Sequence, residues 1–399
     1  MLKYWIWLAH TCKATEAEKV ELLRQFGTPE NIYNASDEQL SPFLKNPGLN
    51  RDLDEARKFQ AVCEKKKLGI LTFHDEAYPQ RLKCIYNPPI LLYYKGELPD
   101  FDNIPAIGLV GTREASSYGL NTARRLGYQI ARCGAVVVSG LAEGIDAAGM
   151  WGALNGGQPV VGILGCGIDQ VYPACNRELF RQTELFGCIL SEFAPGSGAD
   201  GWHFLKRNRI ISALSNGVLV VEAPLRSGAL NTANHALEQG RDVFVVPGNI
   251  DVATCAGSNR LLRDGATAVG CGWDVVSEYA AMYPDQLHAF LGDDAPLSAE
   301  RKQPKVAQKS KKPAVSRRTD KKDIDNKASS PYIDVNNPPT MSANEQRIVT
   351  LLREGERSVD DVVAAMALPA ARLNAMLTVL QVKGVVKRMP GNRISLNSN

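Results

Sequence analysis

Between residues 104 and 250 the chain repeats one pattern, a short uninterrupted apolar run that ends in Gly, Ser, Glu or Pro and gives way to a helical stretch. The runs fall at 106–110, 135–138, 160–164, 188–190, 217–221 and 242–246. An apolar run without polar alternation suits a strand buried on both faces, and such strands belong to parallel sheets with helices on either side. The expected fold class is therefore α/β. In open sheets of this kind ligands bind beyond the carboxyl ends of the strands, so the strand exits are where function is sought.

The rest of the 399 residues divides around this block. Residues 1–65 read as helices with short turns, such as Glu16–Phe26 with apolar Val20, Leu22, Leu23 and Phe26 before a Gly27-Thr28-Pro29 break. The sheet domain spans 66–290, opening with a Pro-rich loop and the run Ile90-Leu91-Leu92-Tyr93-Tyr94. Residues 291–340 combine six prolines with few apolar residues and read as a disordered basic linker. A last domain, 341–399, carries a helix with Ile348, Leu351 and Leu352, and a second capped by Ser358 with Val362, Val363 and Met366. A third helix presents Leu373, Met376, Leu377 and Leu380, and a hairpin over 385–389 and 393–396 completes a winged-helix plan.

Charge is local. The whole chain is +3, yet residues 301–327 hold eleven Lys or Arg against three Asp, so one segment of +8 stands beside a remainder of −5. No run approaches the roughly 18 to 20 apolar residues of a membrane span, and the first ten residues lack a secretory pattern. Nine scattered cysteines with no CxxC pair, and only five histidines, support neither a disulfide framework nor a zinc site. A soluble protein of the reducing cytoplasm, with no metal and no cofactor, is expected.

Four exits carry chemistry. At the first, Gly111-Thr112-Arg113 precedes a helix, combining glycine, free N–H groups at a helix start and a planar guanidinium suited to phosphate; a packing glycine beside a solvated arginine is the plainer alternative. At the second, Ser139-Gly140 leads to Asp146, either a general base or a brace for the following helix. The third has Cys166, a nucleophile only if a histidine base were nearby, followed by Tyr172-Pro173 and Asn176-Arg177. Ser227-Gly228 opens another helix after Glu222-Ala223-Pro224. Neither of the first two exits matches G-x-G-x-x-G, and a P-loop is absent, which argues against a bound dinucleotide or nucleoside triphosphate there. The densest cluster is 202–211, where Lys206, Arg207 and Arg209 surround Asn208 behind Trp202, His203 and Phe204. Cations with aromatic faces fit a polyanion whose bases can stack, that is, a single strand. The cations are expected at a helix start, where they would oppose the dipole.

In order along the chain, Val110-Gly111-Thr112-Arg113, the stretch from Ser139 to Asp146, Tyr172-Pro173 with Asn176, Ser191-Glu192, Phe204 through Ile211, Ser227-Gly228, Pro247-Gly248 and Gly257-Ser258-Asn259 resemble the DNA-processing protein A (DprA/Smf) family. The resemblance implies an extended Rossmann-like domain, an N-terminal helical domain like a sterile-alpha-motif fold, and a C-terminal winged helix. It further implies a homodimer that binds single-stranded DNA and loads the RecA recombinase during natural transformation. The family's Gly-Ser-Arg phosphate turn maps onto Gly111, Thr112 and Arg113, with threonine in place of serine. Its Arg-Asn-Arg motif maps onto Arg207, Asn208 and Arg209, with Phe204 upstream. The expected DNA contacts are these, together with Ser139, Gly140, Arg177, Lys206, Ser227 and Gly228; no catalytic residue is expected.

Two other classes stay open on sequence. A Rossmann-type nucleotide-cleaving enzyme of the lysine-decarboxylase-like group would use Glu222 or Asp146, though its Pro-Gly-Gly-x-Gly-Thr motif is missing. A duplex-binding regulator would work through the winged helix, whose third helix carries only Arg372 with Lys383 beyond, and whose wing adds Lys387, Arg388 and Arg393. That mostly apolar helix suits protein contact or an auxiliary DNA role better than base readout.

Overall fold

The computed structural model describes residues 1–46, 48–290, 292, 343–353, 355–366, 377, 380, 385–389 and 393–396. It falls into two compact units, Met1–Ala307 and Gln308–Asn399. The expected basic linker lies, but for Gly292, outside the described residues.

In chain order the first unit opens with α1 (Leu2–His10), α2 (Glu16–Phe26), α3 (Pro29–Asn34), α4 (Asp37–Leu40) and α5 (Asp54–Lys66). Local chemistry sets these boundaries. Thr15 and Glu18 form a capping box at the start of α2, and Gly27 ends it with φ +77°. Then follow β1 (Gly69–Thr72), α6 (Gln80–Lys83), β2 (Leu91–Gly96), β3 (Ala106–Val110), α7 (Ser117–Arg132), β4 (Val136–Ser139), α8 (Ile145–Gly156) and β5 (Val160–Leu164). The unit continues through α9 (Arg177–Phe186), β6 (Cys188–Ser191), α10 (Gly201–Leu214), β7 (Gly217–Val220), α11 (Gly228–Glu238), β8 (Asp242–Val245), α12 (Ala256–Arg263), β9 (Thr267–Ala268) and α13 (Gly272–Val276).

The nine strands form one sheet in the order β1-β2-β6-β5-β4-β3-β7-β8-β9. From β6 to β9 all neighbours are parallel; β2 pairs antiparallel with β6 and β1 antiparallel with β2. The apolar runs do what two-sided burial requires. Ile107, Leu109, Val137, Leu219 and Phe244 enter one core, whereas Ala106, Val110, Val136, Val138, Val218, Val220, Val243 and Val245 enter the other. Helices α7 and α8 cover the first face, and α10 and α11 the second. Trp5, Ile6, Trp7 and Leu8 of α1 belong to the first core, so the helical segment 1–66 shares apolar packing with the sheet. Edge strands β1 and β9 fall outside the expected set: β1 is only half buried and two-residue β9 is exposed, so neither carries the continuous apolar run of a strand covered on both faces.

Chain direction makes the sheet's one crevice. From β3 the strands step outward through β4 and β5 to β6; α10 then carries the chain back across the sheet to β7, and stepping resumes the other way. Strand order therefore reverses between β3 and β7, the position at which loops part to leave a ligand site.

In the second unit, α14 (Ala343–Arg353), β10 (Arg357–Ser358), α15 (Val359–Met366), β11 (Val386–Met389) and β12 (Arg393–Leu396) surround buried Ile348, Leu352, Val362, Met366, Leu377, Leu380, Val386 and Ile394. Its three strands run antiparallel in the order β10-β12-β11. The Ser358 hydroxyl accepts from the Asp361 N–H at 3.1 Å, which is the expected cap of the second helix. Leu351 is only partly buried against this core, and Leu373 and Met376 lie outside the described residues. No helix among the described residues is long and apolar enough to cross a membrane.

Helices α7 and α8 approach closely because glycines line their contact. A Cβ added at Gly152 would stand 2.0 Å from the Arg124 carbonyl oxygen, and one at Gly127 would stand 2.1 Å from that of Gly149. Backbone cannot yield as a side chain tip does. Gly152→Ala is therefore expected to lower unfolding stability by about 1–3 kcal/mol, read as a lower urea midpoint with an unchanged slope.

Candidate nucleic-acid interface

A groove of about 680 Å³ opens at the β3/β7 reversal. One wall is the β3 exit, residues 110–114; another is the turn from Pro224 into α11; the third is one face of α10. That face is Phe204, Arg207, Asn208 and Ile211, spaced i, i+3, i+4 and i+7.

The two exits are tied to each other. Thr112 N–H donates to the Glu222 carbonyl at 2.7 Å. Ser116, the cap of α7, donates to the Glu222 carboxylate through its backbone N–H at 3.2 Å and its hydroxyl at 2.7 Å, and the Thr254 hydroxyl donates to the same group. With 1% exposure and these donors, Glu222 clamps loops and has no free lone pair aimed at a ligand.

Arg113 stands exposed, its guanidinium 5.1 Å from the centre of the Phe204 ring, and pairs with no carboxylate among the described residues. Below the ring, 6.0 Å from its centre, lies Arg207, only 4% exposed. Arg207 donates to the Ile163 carbonyl, while its Nε has no partner among the described residues. Burial brings its pKa down to about 10, which Asp146 opposes and Arg113 reinforces. The guanidinium thus keeps its charge at neutral pH. Asp146 accepts from Gly140 N–H at 3.0 Å, and burial holds its carboxyl above the usual carboxylate range, Arg207 working against that shift. Of the two roles open to Asp146, bracing is the one its contacts describe. Gly140 is where it is because a Cβ there would meet the Arg207 guanidinium at 2.4 Å.

The aromatic floor is similarly fitted. Tyr172 and Phe204 have ring centres 5.5 Å apart, and a Cβ at Gly165 would collide with Phe204 at 2.6 Å. Opposite them the N-terminus of α11 faces the groove through Gly228 and Ala229. Ser227 caps it by accepting from Ala229 N–H at 3.2 Å. Asn208 joins α10 to α11, donating to the Gly228 carbonyl and to Asn231 Oδ1, each at 3.1 Å. Two cations, a half-buried ring and a helix N-terminus share one groove, an arrangement that can hold phosphates and stack a base.

Eight of the thirteen expected contacts line this groove: Gly111, Thr112, Arg113, Phe204, Arg207, Asn208, Ser227 and Gly228. Gly140 lines a smaller adjoining cavity with Glu143, Tyr172 and Pro173. Ser139 is fully buried and donates to the Leu109 carbonyl at 2.6 Å, fastening β4 to β3. Arg177 begins α9, exposed and away from the groove's lining.

Lys206 and Arg209 sit on another face of α10. Lys206 lies between Glu16 at 3.2 Å and Glu192 at 3.3 Å, and Arg209 grips both Glu192 oxygens at 2.8 and 2.7 Å. The expectation that the cations mark a helix start is corrected: they are the sixth, seventh and ninth residues of α10, which begins at Gly201. Helical phase, about 100° per residue, turns Arg207 into the groove and Arg209 away. Sequence reasoning missed Arg226 and Thr232, and took Tyr172 only as part of a motif; all three line the groove. Applying the 3.6-residue period to 201–214 would have separated the arginines, whereas nothing local marks Arg226 beyond its place before Ser227.

Cys166 is buried, which pushes its thiol up to about 11 against the pull of Arg207, so it is not a thiolate at neutral pH. His203 is buried with its ring nitrogen 3.0 Å from the Gly198 carbonyl, packed on Phe193 and Trp202.

An open α/β sheet with a cationic, ring-floored groove at its reversal point defines an anion-binding protein of the extended Rossmann type. The model of DNA recombination-mediator protein A matches residues 69–280, and that of the DprA winged helix domain matches residues 335–392. Protein Smf of Synechocystis is 34% identical over 84% of this chain and 82% of its own length. DNA processing protein DprA of Streptococcus pneumoniae is 39% identical over 54% of this chain and 76% of its own. The X-ray structure of the pneumococcal protein superposes with a TM-score of 0.61 at 33% identity, covering 70% of this chain and 98% of that one. The chain belongs to the DNA recombination-mediator protein A family, a family of DNA-processing proteins.

Arg209 of the Arg-Asn-Arg motif and Arg113 of the Gly111-Thr112-Arg113 turn should separate on mutation. Arg209→Ala leaves the buried Glu192 with Lys206 alone and should cost on the order of 3 kcal/mol of stability. Arg113→Ala, being exposed, should stay within about 0.5 kcal/mol of the parent; chemical unfolding of the two variants checks both.

Proposed function

We propose that this protein binds single-stranded DNA in the β3/β7 groove and delivers it to the RecA recombinase as a homodimer in the cytoplasm, without bond chemistry of its own. The observation that carries the reading is Phe204 held between Arg113 and Arg207, with Tyr172 beside it. A ring face flanked by two guanidiniums serves unpaired bases and their phosphates together, whereas a duplex hides its bases in the stack. Membership of a recombination-mediator family supports the partner and the setting.

The non-enzymatic reading rests on the candidates for chemistry already being engaged. Glu222 is saturated by Ser116 and Thr254, Asp146 faces a buried guanidinium, and the Cys166 thiol is protonated. For the winged helix and the basic linker we propose an auxiliary role, since a polycation without fixed aromatic faces attracts any polyanion and cannot select unpaired bases.

Fluorescence anisotropy with matched single-stranded and duplex oligonucleotides tests the reading. Affinity for the single strand should exceed that for duplex and fall with salt at a log–log slope of about −0.7 per phosphate neutralised. Phe204→Ala should weaken single-strand binding by about 1–3 kcal/mol and change duplex binding little. Equal affinity for both forms would overturn it.

A further inference from the structure

A second cavity, of about 240 Å³, lies at the other end of α11. Arg81 and Tyr86 form one side; His235, Gln239 and Arg241 form the other. From Gly228, in the groove, to Glu238, at this cavity, the helix covers about 16 Å, so the two sites are separate.

Most charges around the cavity are engaged. Arg209 is neutralised by Glu192, and His235 meets Glu238 at 3.2 Å. The Arg81 guanidinium donates to the Leu214 carbonyl at 3.1 Å, the Ile104 carbonyl at 3.3 Å and the Tyr283 hydroxyl at 3.1 Å, and Asp102 stands 3.8 Å away. Arg241 is different. Its Nε is buried with no partner, and it makes no ion pair among the described residues. Burial and then the neighbouring Arg81 push its pKa down. Gln239 Oε1 is likewise buried and without a donor. Tyr86, 84% exposed, stands at the rim with its ring in solvent. A half-buried guanidinium with a second one nearby, and with no ion pair of its own among the described residues, is costly unless an anion enters.

We propose that this cavity binds a nucleotide, its phosphate paired with the Arg241 guanidinium, its sugar or base hydrogen-bonded to the Gln239 side chain, and its base lying against Tyr86. A free mononucleotide and the phosphorylated end of a strand share that chemistry. The site does not depend on the groove reading, and its test is built to keep them apart.

The test is calorimetric titration of the full chain with thymidine monophosphate, inorganic phosphate, and one oligonucleotide with and without a 5′-phosphate. Arg241→Gln should weaken thymidine monophosphate binding about tenfold or more, as loss of a charged hydrogen bond does. Arg113→Ala, which removes a groove contact, should leave intact the component of nucleotide binding that Arg241→Gln weakens. Tyr86→Ala, which cannot disturb the core, should weaken the nucleotide and spare inorganic phosphate. Arg241→Lys should retain most of the binding, which separates lost charge from lost fold. A 5′-phosphate that tightens the oligonucleotide only when Arg241 is present identifies a strand end as the ligand; tight mononucleotide without that effect identifies a free nucleotide. Nucleotide affinity equal in parent and Arg241→Gln, loss of that same component in Arg113→Ala, or no difference between phosphate and nucleotide would overturn the proposal.

Discussion

Arg207 keeps a full charge at a place almost without water, and much of the sheet's upper edge is shaped around that fact. Its guanidinium needs the Ile163 carbonyl at the end of β5 and the Asp146 carboxyl at the start of α8. It also needs a residue without Cβ at Gly140. Phe204 then rests over it, and Gly165 must lack a side chain for Phe204 to fit. A buried cation of this kind adds little to stability by itself. On the proposed reading it supplies a fixed positive floor for an incoming phosphate.

Helix α10 uses its faces for different tasks. Phe204, Arg207 and Asn208 address the groove, Lys206 ties the helix to Glu16 of α2, and Arg209 ties it to Glu192 at the end of β6. The groove's position therefore depends on two ion pairs that never touch it. Because Lys206 links α10 to the N-terminal helices, and α1 shares the sheet's first core, the helical segment is part of the scaffold that holds the groove.

The sheet was legible because two-sided burial leaves continuous apolar runs, and six of them coincide with β3 to β8 to within a residue at their ends. β1 and β9 were not, since edge strands of four and two residues need no such run. The strand exits singled out in the sequence converge on one groove, as the turn from Gly111 to Arg113 and the Ser227 cap illustrate. Where reading by proximity failed was within 206–209, because neighbours on a helix point apart and only phase distinguishes Arg207 from Arg209. Ser139 misled for a related reason: a hydroxyl at a strand end serves a ligand or a neighbouring carbonyl equally well, and here Leu109 takes it. Arg226 comes into the groove through the path of the β7 exit, a tertiary fact with no local signature.

Unpaired bases are predicted to lie on the ring floor beside Arg113 and Arg207. Photocrosslinking of an iodouracil-containing single strand to the full chain, with the adducts mapped by mass spectrometry, tests it most directly. Adducts at Phe204 and Tyr172 are predicted; adducts confined to the second unit, around Lys387 and Arg393, would contradict it.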